Sequence, residues 1–473
     1  VNSTIDVVAD MQALQTDSTD LNTTISTKAI EGLPNIGRNP MQYLVTVAGM
    51  IPRGNSEGLD LINAGDDTRR QFSNFSVNGS RPNASEILLD GAPNTNMANN
   101  EVSVLPNIDA IGDLKVITNA YSAEFGRVSG GVISFGTKSG ANQFHGSLYE
   151  YVRNSAFNAN SFGNNSFGRT TDGNPVRPKG KFNLNQFGGS FSGPILLPFY
   201  SGRNKTFFFV SYEGARRVTD ASAFLTVPTA AERTGDFSKT MAQVRNPATG
   251  LLVTVPRSIY APFASTSTVT QVAANSFRVV RQQFQDGAVL NKIPQQYINP
   301  VAQKLLNYYP LPNMTALQPD GTQNYFDSNA ARANTDQIIM KFDHNFSERH
   351  RSFFRFTNDW TFSEGANRFR ETDRDVSSVI PVTQFNPSVT FGHTWMASRT
   401  SIVDFRANLT RINLVQQPSV NFDLEGMGFS KDMLATINTR YFPYIAAFSG
   451  YQSMGVGQVV YRDNHNSNYS LTG

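Results

Sequence analysis

The clearest pattern in this sequence is an alternation of apolar and polar side chains along segments of about 10 to 14 residues that follow Gly140. In the segment 401–409, Val403, Phe405 and Leu409 fall on one face of an extended chain, and Asp404 falls on the other. A period of two residues indicates a β-strand whose two faces meet different surroundings. The same alternation predicts seven strands and the start of an eighth, at 143–153, 182–195, 205–217, 335–346, 351–362, 387–398, 401–417 and from Asn464.

The links between these strands alternate between long and short. The short links lie around Phe199, at 347–350 and at 399–400, whereas the longest of the long links runs from 218 to 334. An outer-membrane barrel has short periplasmic turns and long extracellular loops, so the pattern favours an antiparallel transmembrane β-barrel with its short links in the periplasm. A soluble up-and-down barrel or sandwich stays an alternative, although it gives no reason for every long loop to lie at one end.

Residues 1–140 have a different character and predict a small α/β domain. Short apolar runs predict strands at 86–89, 114–118 and 132–135 and a helix at 107–112, and Asp90-Gly91 and Gly130-Gly131 are turn signals. This part holds 9 Lys and Arg against 15 Asp and Glu, and the rest of the chain holds 31 against 22. We therefore expect two units, 1–140 and 141–473.

Composition narrows the class of protein further. Charged residues make up 16% of the chain, below the roughly 25% of typical soluble domains, and the chain has 35 Phe and 16 Tyr. Cysteine is absent, which excludes disulfides and thiolate metal sites. No apolar run approaches the roughly 18 residues that a transmembrane helix needs. An aromatic-rich all-β protein fits these values.

The sequence offers no constellation for catalysis, so we expect no enzyme, no cofactor and no metal. The five histidines are scattered, and Gly131 and Gly136 fail the phosphate-loop spacing because Thr137 precedes Lys138. Lys and Arg form no cluster, which argues against a nucleic-acid partner.

Several stretches carry a family resemblance. They are 75–81 (FSVNGSR), 88–93 (LLDGAP), 121–133 (YSAEFGRVSGGVI), 137–140 (TKSG), 143–151 (QFHGSLYEY), 185–194 (NQFGGSFSGP) and 205–214 (KTFFFVSYEG). Together they resemble the plug and first barrel strands of TonB-dependent outer-membrane transporters, in the Oar-like branch.

The resemblance implies a small α/β plug domain followed by a 22-stranded barrel, of which about seven or eight strands would lie in this chain. We therefore expect a fragment, and neither a TonB box nor an upstream regulatory domain is visible in it. The plug motif would comprise Asp90, Gly91, Glu124, Gly126, Arg127, Gly130 and Gly131. The glycines would allow tight turns and close backbone approach, and Glu124 and Arg127 would pair with charges on the barrel wall.

The resemblance also implies a function and partners. These are the bacterial outer membrane with its lipid, a TonB-type energy-transducing complex, and an extracellular solute such as a siderophore, an oligosaccharide or a peptide. No residue of the chain indicates which solute binds. An adhesin or structural barrel without transport is the main alternative, and a soluble carbohydrate-binding β-protein is the third.

Two further expectations concern side chains. The aromatic residues of the link 218–334 would either bind the solute or pack on one another. Aromatics near strand ends would form the interfacial girdle, and the candidates are Tyr149, Tyr151, Tyr212, Trp360 and Trp395.

Overall fold

A computed structural model of the chain describes residues 21–32, 35, 37–52, 75–81, 84–96, 102–119, 125, 129–169, 173–262, 267–273, 276–369, 376, 380–416, 422–437, 440–446, 450–455 and 462–472. Within these residues, no helix combines the length and the apolar character that crossing a membrane requires.

The N-terminal part forms a small mixed sheet. Its strands are β1 (Leu21–Ser26), β2 (Met50–Pro52), β3 (Phe75–Val77), β4 (Glu86–Leu89), β5 (Ala92–Pro93), β6 (Ile111–Asn119) and β7 (Val132–Thr137). Five of them are arranged in the order β1-β6-β7-β4-β5, and β2 pairs with β3. Only β4 and β7 run parallel among these pairs. An α-helix at Thr27–Gly32 and a 3₁₀-helix at Pro40–Thr46 accompany the sheet.

The strands predicted at 86–89, 114–118 and 132–135 are present in this small sheet, but the predicted helix at 107–112 is wrong. A single 3₁₀ turn, Ile108–Ala110, is followed at once by β6. Asn107 begins this turn by accepting a hydrogen bond from the backbone N–H of Ala110. The apolar residues from Ile108 onward are buried in the core, where a strand satisfies their backbone groups by pairing with β7.

From residue 145 onward strands dominate the chain. They are β8 (His145–Asn154), β9 (Phe182–Pro194), β10 (Leu196–Leu197), β11 (Tyr200–Ser201), β12 (Thr206–Asp220), β13 (Ala223–Leu225), β14 (Met241–Arg245), β15 (Leu252–Pro256), β16 (Ser267–Ala273), β17 (Ser276–Arg281), β18 (Gln285–Asp286), β19 (Val289–Leu290), β20 (Tyr325–Asp327), β21 (Ala330–Asn345), β22 (His350–Glu364), β23 (Val382–Met396), β24 (Ile402–Gln416) and β25 (Arg462–Thr472).

Eight of these strands form one long antiparallel sheet in the order β25-β24-β23-β22-β21-β12-β9-β8. They correspond one for one to the eight strands that alternation predicts, and the long and short links alternate as expected. The described residues show an open sheet, because β8 and β25 are its two edges and do not pair with each other.

The two faces of the long sheet differ in polarity. The inner face, which lies towards the small sheet, carries Arg406 and Asn408 on β24, and the Asn408 amide donates a hydrogen bond to the carbonyl oxygen of Pro93. The outer face carries Val403, Phe405 and Leu409, all of which are exposed. The predicted assignment of polar and apolar faces on this strand is therefore confirmed.

The long links fold together into a cap at one end of the sheet. Their helices are Phe162–Asn165, Ala230–Arg233, Pro300–Leu306, Leu424–Met427 and Lys431–Ala435, with 3₁₀ turns at Ser155–Phe157 and Gln295–Tyr297. Three links, 221–329, 365–381 and 417–461, contribute to one buried apolar cluster. In it the ring of Tyr308 makes edge-on contacts with Phe422 and Phe442, at centroid distances of 5.8 and 5.1 Å. For these aromatics, self-packing is the alternative that the structure supports.

Candidate functional site at the interface of the two sheets

A tight turn on the small sheet directs Asp90 at the inner face. Asp90 and Gly91 join β4 to β5, with φ angles of 50° and 75°. Positive φ at both central residues is the geometry of a type I′ hairpin, and Asp-Gly is among the pairs that adopt it most readily. The Asp90 carboxylate therefore projects beyond the sheet.

The Asp90 carboxylate is the centre of a buried ion cluster. It accepts hydrogen bonds from the backbone N–H of Thr137 at 2.8 Å and from the Thr137 hydroxyl. Two inner-face cations approach it as well, with Arg355 Nη1 at 2.7 Å and Lys341 Nζ at 3.4 Å. The Arg355 side chain is only 1% exposed. Arg355 also donates to the hydroxyl of Thr390 at 2.6 Å, which ties the cluster to a third strand of the long sheet.

The electrostatics of this cluster keep Asp90 ionised. Burial on its own raises the pKa of the Asp90 carboxyl, but the positive charges of Arg355 and Lys341 and the hydrogen bond from Thr137 outweigh it and lower the pKa to about 2. Because buried charges are tolerated only when they are paired and hydrogen-bonded, Asp90 and its two cations depend on one another.

A second cluster joins the small sheet to β8 and β12 through Arg38. Its Nε donates to Glu213 Oε2 at 3.0 Å, and its Nη2 donates to Asp109. The guanidinium lies over the ring of Tyr149, 4.1 Å from its centroid, and near that of Tyr151. The Tyr149 hydroxyl donates to the same Glu213 oxygen at 2.9 Å. Ion pairing and cation–π contact therefore hold one side chain of the small domain against the inner face.

A third contact is made of amides. The backbone N–H of Asn107 donates to Gln337 Oε1 at 2.7 Å, and Gln337 Nε2 donates in return to the carbonyl oxygen of Leu105 at 2.7 Å. The hydroxyl of Ser211 donates to the Asn107 side-chain oxygen at 2.9 Å. Gln337 and Ser211 are fully buried inner-face residues. The amide of Gln337 thus satisfies backbone groups as a neighbouring strand would.

The other residues of the predicted plug motif have varied positions. A Cβ on Gly91 would lie 2.9 Å from the guanidinium carbon of Arg406, and one on Gly130 would lie 2.8 Å from the Ser85 hydroxyl. A Cβ on Gly131 would lie 2.7 Å from the carbonyl oxygen of Ile117. These three glycines stand where backbone closely approaches a neighbour. Glu124, Gly126 and Arg127 lie outside the described residues.

Sequence reasoning did not identify Arg38, Gln337 or Arg355, and it misplaced two tyrosines. Tyr149 and Tyr151 were expected in the lipid-facing girdle, but they point to the inner face against Arg38. Their position in β8 indicates this, because residues 145, 147, 149 and 151 share one face of a strand and Leu148, on the other face, is 92% exposed. A lone arginine such as Arg38 carries no comparable signal.

The interface consists of ion pairs and hydrogen bonds that join the small sheet to the long sheet. Within the described residues, no group of three or more His, Cys, Asp or Glu side chains is placed to hold a metal ion. Apart from Arg355 Nε and Asn107 Nδ2, which are buried without a hydrogen-bond partner among the described residues, the polar groups named above bind one another. The arrangement is therefore suited to holding the small sheet against the inner face.

Comparison with known proteins agrees with this architecture. Residues 136–473 match the outer membrane beta barrel domain family. The chain belongs to this family. It is an outer-membrane protein, and it is similar to the TonB-dependent transporter Oar of Myxococcus xanthus, with 32% identity over 139 residues. That similarity covers 29% of this chain and 12% of the relative, so the chain matches only a small part of that transporter.

Two solved structures are also similar to this outer-membrane protein. The outer membrane transporter YddB from Escherichia coli matches 84% of the chain with a TM-score of 0.47 and 13% identity, and 40% of YddB is covered. A mutant of the ferric enterobactin receptor PfeA from Pseudomonas aeruginosa, in complex with enterobactin, matches 85% of the chain with a TM-score of 0.41 and 12% identity, and 42% of that receptor is covered. The chain spans less than half of either protein. The relatives named here are two transporters and a receptor.

Proposed function

We propose that the protein is a TonB-dependent importer in which residues 1–140 are the plug and residues 141–473 are the first part of a 22-stranded barrel. The barrel would close through strands beyond the eight described here. The plug motif would include Glu124, Gly126 and Arg127 together with Asp90, Gly91, Gly130 and Gly131. The inner face of the long sheet would line the lumen.

The observation that carries this proposal is the fastening of the small sheet to the inner face. A barrel of about 22 strands has a lumen that must be filled, and a folded plug fills it. Asp90 and Arg38 project from the small sheet into buried charge clusters on the wall, and Asn107 is held by a wall amide. Polar contacts of this kind suit a plug that must stay in place at rest and yet rearrange when force is applied.

The cap of long links supports the second part of the proposal, the capture of a solute outside the cell. It contains a cleft with a predominantly polar lining. The cleft, of about 400 Å³, lies between Phe224, Asp320, Gln323 and Gln452. A packed apolar cluster beneath it gives these walls a fixed position, which is how loops usually carry recognition. A siderophore, an oligosaccharide and a peptide are all compatible with such a lining.

The test of transport compares cells that express the full-length protein with and without a functional TonB complex. Labelled ferric siderophores, oligosaccharides and peptides are offered as a panel, and uptake is compared with surface binding. We expect one class to accumulate only when TonB and the proton gradient are intact. Surface retention that is independent of TonB would instead establish an adhesin, and recovery of the protein in the soluble fraction would refute both.

A separate test addresses orientation. The chain has no cysteine, so an introduced cysteine is the one thiol that these 473 residues contribute. We expect Ala248→Cys, in a long link, to react with a membrane-impermeant maleimide on intact cells. Ser347→Cys, in a short link, is expected to react only after the outer membrane is permeabilised. The opposite result would invert the proposed orientation.

A further inference from the structure

The short links of the long sheet form a basic rim. Links 195–205, 346–349 and 397–401 contain Arg203, Lys205, Arg349 and Arg399 against a single acidic residue, Glu348. All four basic side chains are exposed. None of them forms an ion pair with a residue that the structure describes. Asp343 and Asp404, at neighbouring strand ends, do not neutralise these cations on the outer side of the sheet. Their pairing with Phe353 and Thr394 places both carboxylates on the inner face.

Directly above this rim, the outer face carries a group of histidines and a tryptophan. His350 pairs with Trp395 across β22 and β23, and their rings stack at 5.8 Å with an angle of 12° between them. His350 Nδ1 is 3.3 Å from His393 Nε2, and His393 Nδ1 is 2.7 Å from the Ser352 hydroxyl. Both nitrogens of His393 are thereby engaged within the protein. His350 Nε2 makes no hydrogen bond to a described residue, and it carries a proton when Nδ1 accepts from His393 Nε2. The indole N–H of Trp395 is a further donor.

The position of these groups along the strands places them at a membrane boundary. Further from the rim, the outer face becomes apolar, with exposed Phe342, Phe354 and Phe391 in one row across three strands. Trp360 lies beside Phe385 towards the far end, with their ring centroids 5.4 Å apart. From His350 to Trp360 a strand rises about 33 Å, or about 25 Å along the normal of a barrel whose strands tilt by about 40°, which is the height of a lipid-facing band. His350 and Trp395 therefore mark the lower edge of that band.

The hairpins at this edge are evenly spaced along the sheet. Successive short links are separated by two strands, which is about 10 Å, so the four cations extend over an arc of about 20 Å. Arginine in particular presents a planar fork of donors that matches phosphate oxygens. Each basic side chain at a membrane surface raises the affinity for anionic lipids by about a factor of five.

We propose that this rim binds anionic phospholipid headgroups, with Arg203, Lys205, Arg349 and Arg399 contacting their phosphates and His350 and Trp395 donating at the lipid boundary. The proposal rests on the proposed barrel, whose orientation assigns the lipids to the periplasmic leaflet. The net positive charge of exposed side chains immediately below an apolar surface favours an anionic lipid over a zwitterionic one. It also favours lipid over a soluble periplasmic partner, since His350 and Trp395 face the same side as the apolar band.

The experiment is native mass spectrometry of the full-length protein, released from detergent after incubation with equal amounts of dioleoylphosphatidylglycerol and dioleoylphosphatidylcholine. At low salt, we expect the wild type to retain the anionic lipid over the zwitterionic one by about tenfold or more. At 0.5 M KCl, it is expected to lose much of this preference because salt screens the charges. The test variant carries Arg203→Gln, Lys205→Gln, Arg349→Gln and Arg399→Gln. Its preference is expected to fall to within about twofold of parity.

A matched control removes four exposed basic residues from the long links instead. It carries Lys239→Gln, Arg245→Gln, Arg281→Gln and Lys431→Gln, and it is expected to keep the preference of the wild type. If the quadruple rim variant does not insert, the two double variants R203Q/K205Q and R349Q/R399Q are measured separately, and each is expected to lower the preference at least about fivefold.

The outcomes separate this proposal from the proposed function. A wild type without preference, or rim variants that keep it, would overturn the lipid proposal even where the protein is inserted and takes up solute. Failure of the wild type to migrate as a heat-modifiable outer-membrane protein would overturn the barrel itself. Equal loss of preference in the rim and control variants would show an effect of net charge alone and would also overturn the proposed rim.

Discussion

Replacing Asp90 by asparagine tests whether the ion cluster holds the small sheet against the long sheet. Asparagine has nearly the same shape and still accepts a hydrogen bond from the backbone N–H of Thr137. It removes the negative charge that faces Arg355 and Lys341, whose side chains are 1% and 9% exposed. The perturbation is therefore almost purely electrostatic, and it removes the carboxylate with which both buried cations form their ion pairs.

The size of the effect follows from the contacts that remain. Removing one partner of a buried ion pair costs about 3–5 kcal/mol. Arg355 keeps a hydrogen bond to the Thr390 hydroxyl, and Lys341 keeps one to the Thr137 carbonyl oxygen. The lower value of about 3 kcal/mol therefore applies, and it increases the population in which the small sheet is detached by roughly 100-fold.

Hydrogen exchange of the full-length protein in detergent measures this population directly. We expect the backbone amide of Asn107, which donates to Gln337 across the interface, to exchange roughly 100-fold faster in the variant, while those of β22 stay unchanged. Asp113→Asn is the matched control, because Asp113 is an exposed carboxylate on the same small sheet. The triple variant D90N/R355Q/K341Q removes all three charges and should restore most of the protection. Equal exchange in D90N and D113N would refute the reasoning.

Three further predictions follow from the same structure. Because the folded pKa of Asp90 is about 2, below its ordinary 3.8, this group stabilises the folded state above about pH 5 by about 2–3 kcal/mol and loses that contribution as the pH falls towards 2. Urea titrations of the small sheet at pH 6 and pH 2.5 should show the loss, and D90N should lack it. Gly131→Ala places a Cβ 2.7 Å from a carbonyl oxygen of β6 and is expected to destabilise the small sheet by about 1–3 kcal/mol in denaturant titration. Gly163→Ala should change the stability little, because no atom lies within 4 Å of a Cβ at that position. Phe391→Arg puts a charge in the middle of the outer face and should make the free energy of membrane insertion less favourable by about 2–4 kcal/mol. The outer membrane should then contain less heat-modifiable protein, while Leu252→Arg in the cap should insert normally. Wild-type insertion by F391R would mean that this face does not contact lipid.

The strands of the long sheet could be predicted from the sequence. Their pattern is local, since each residue's face depends only on whether its position is odd or even, and residues 401–409 show this without any partner strand. The turn at Asp90 and Gly91 was predictable for the same reason, because a two-residue turn that needs positive φ selects Asp-Gly.

The short elements were harder to predict. The segment 107–112 has the composition of a helix, but it forms one 3₁₀ turn and then a strand, since β7 supplies hydrogen-bond partners that lie more than twenty residues further along the chain. Tertiary pairing overrides local preference in such short segments.

By itself, the sequence determined the number, direction and two-faced character of the strands of the long sheet, because alternation and link length are recorded in neighbouring positions. Only the tertiary structure decided which inner-face residues hold the small sheet. Asp90 meets Arg355 across 265 positions, and Arg38 meets Glu213 across 175. Such pairs depend on how one folded body docks against another, and buried charges select their partners by geometry and desolvation rather than by spacing along the chain.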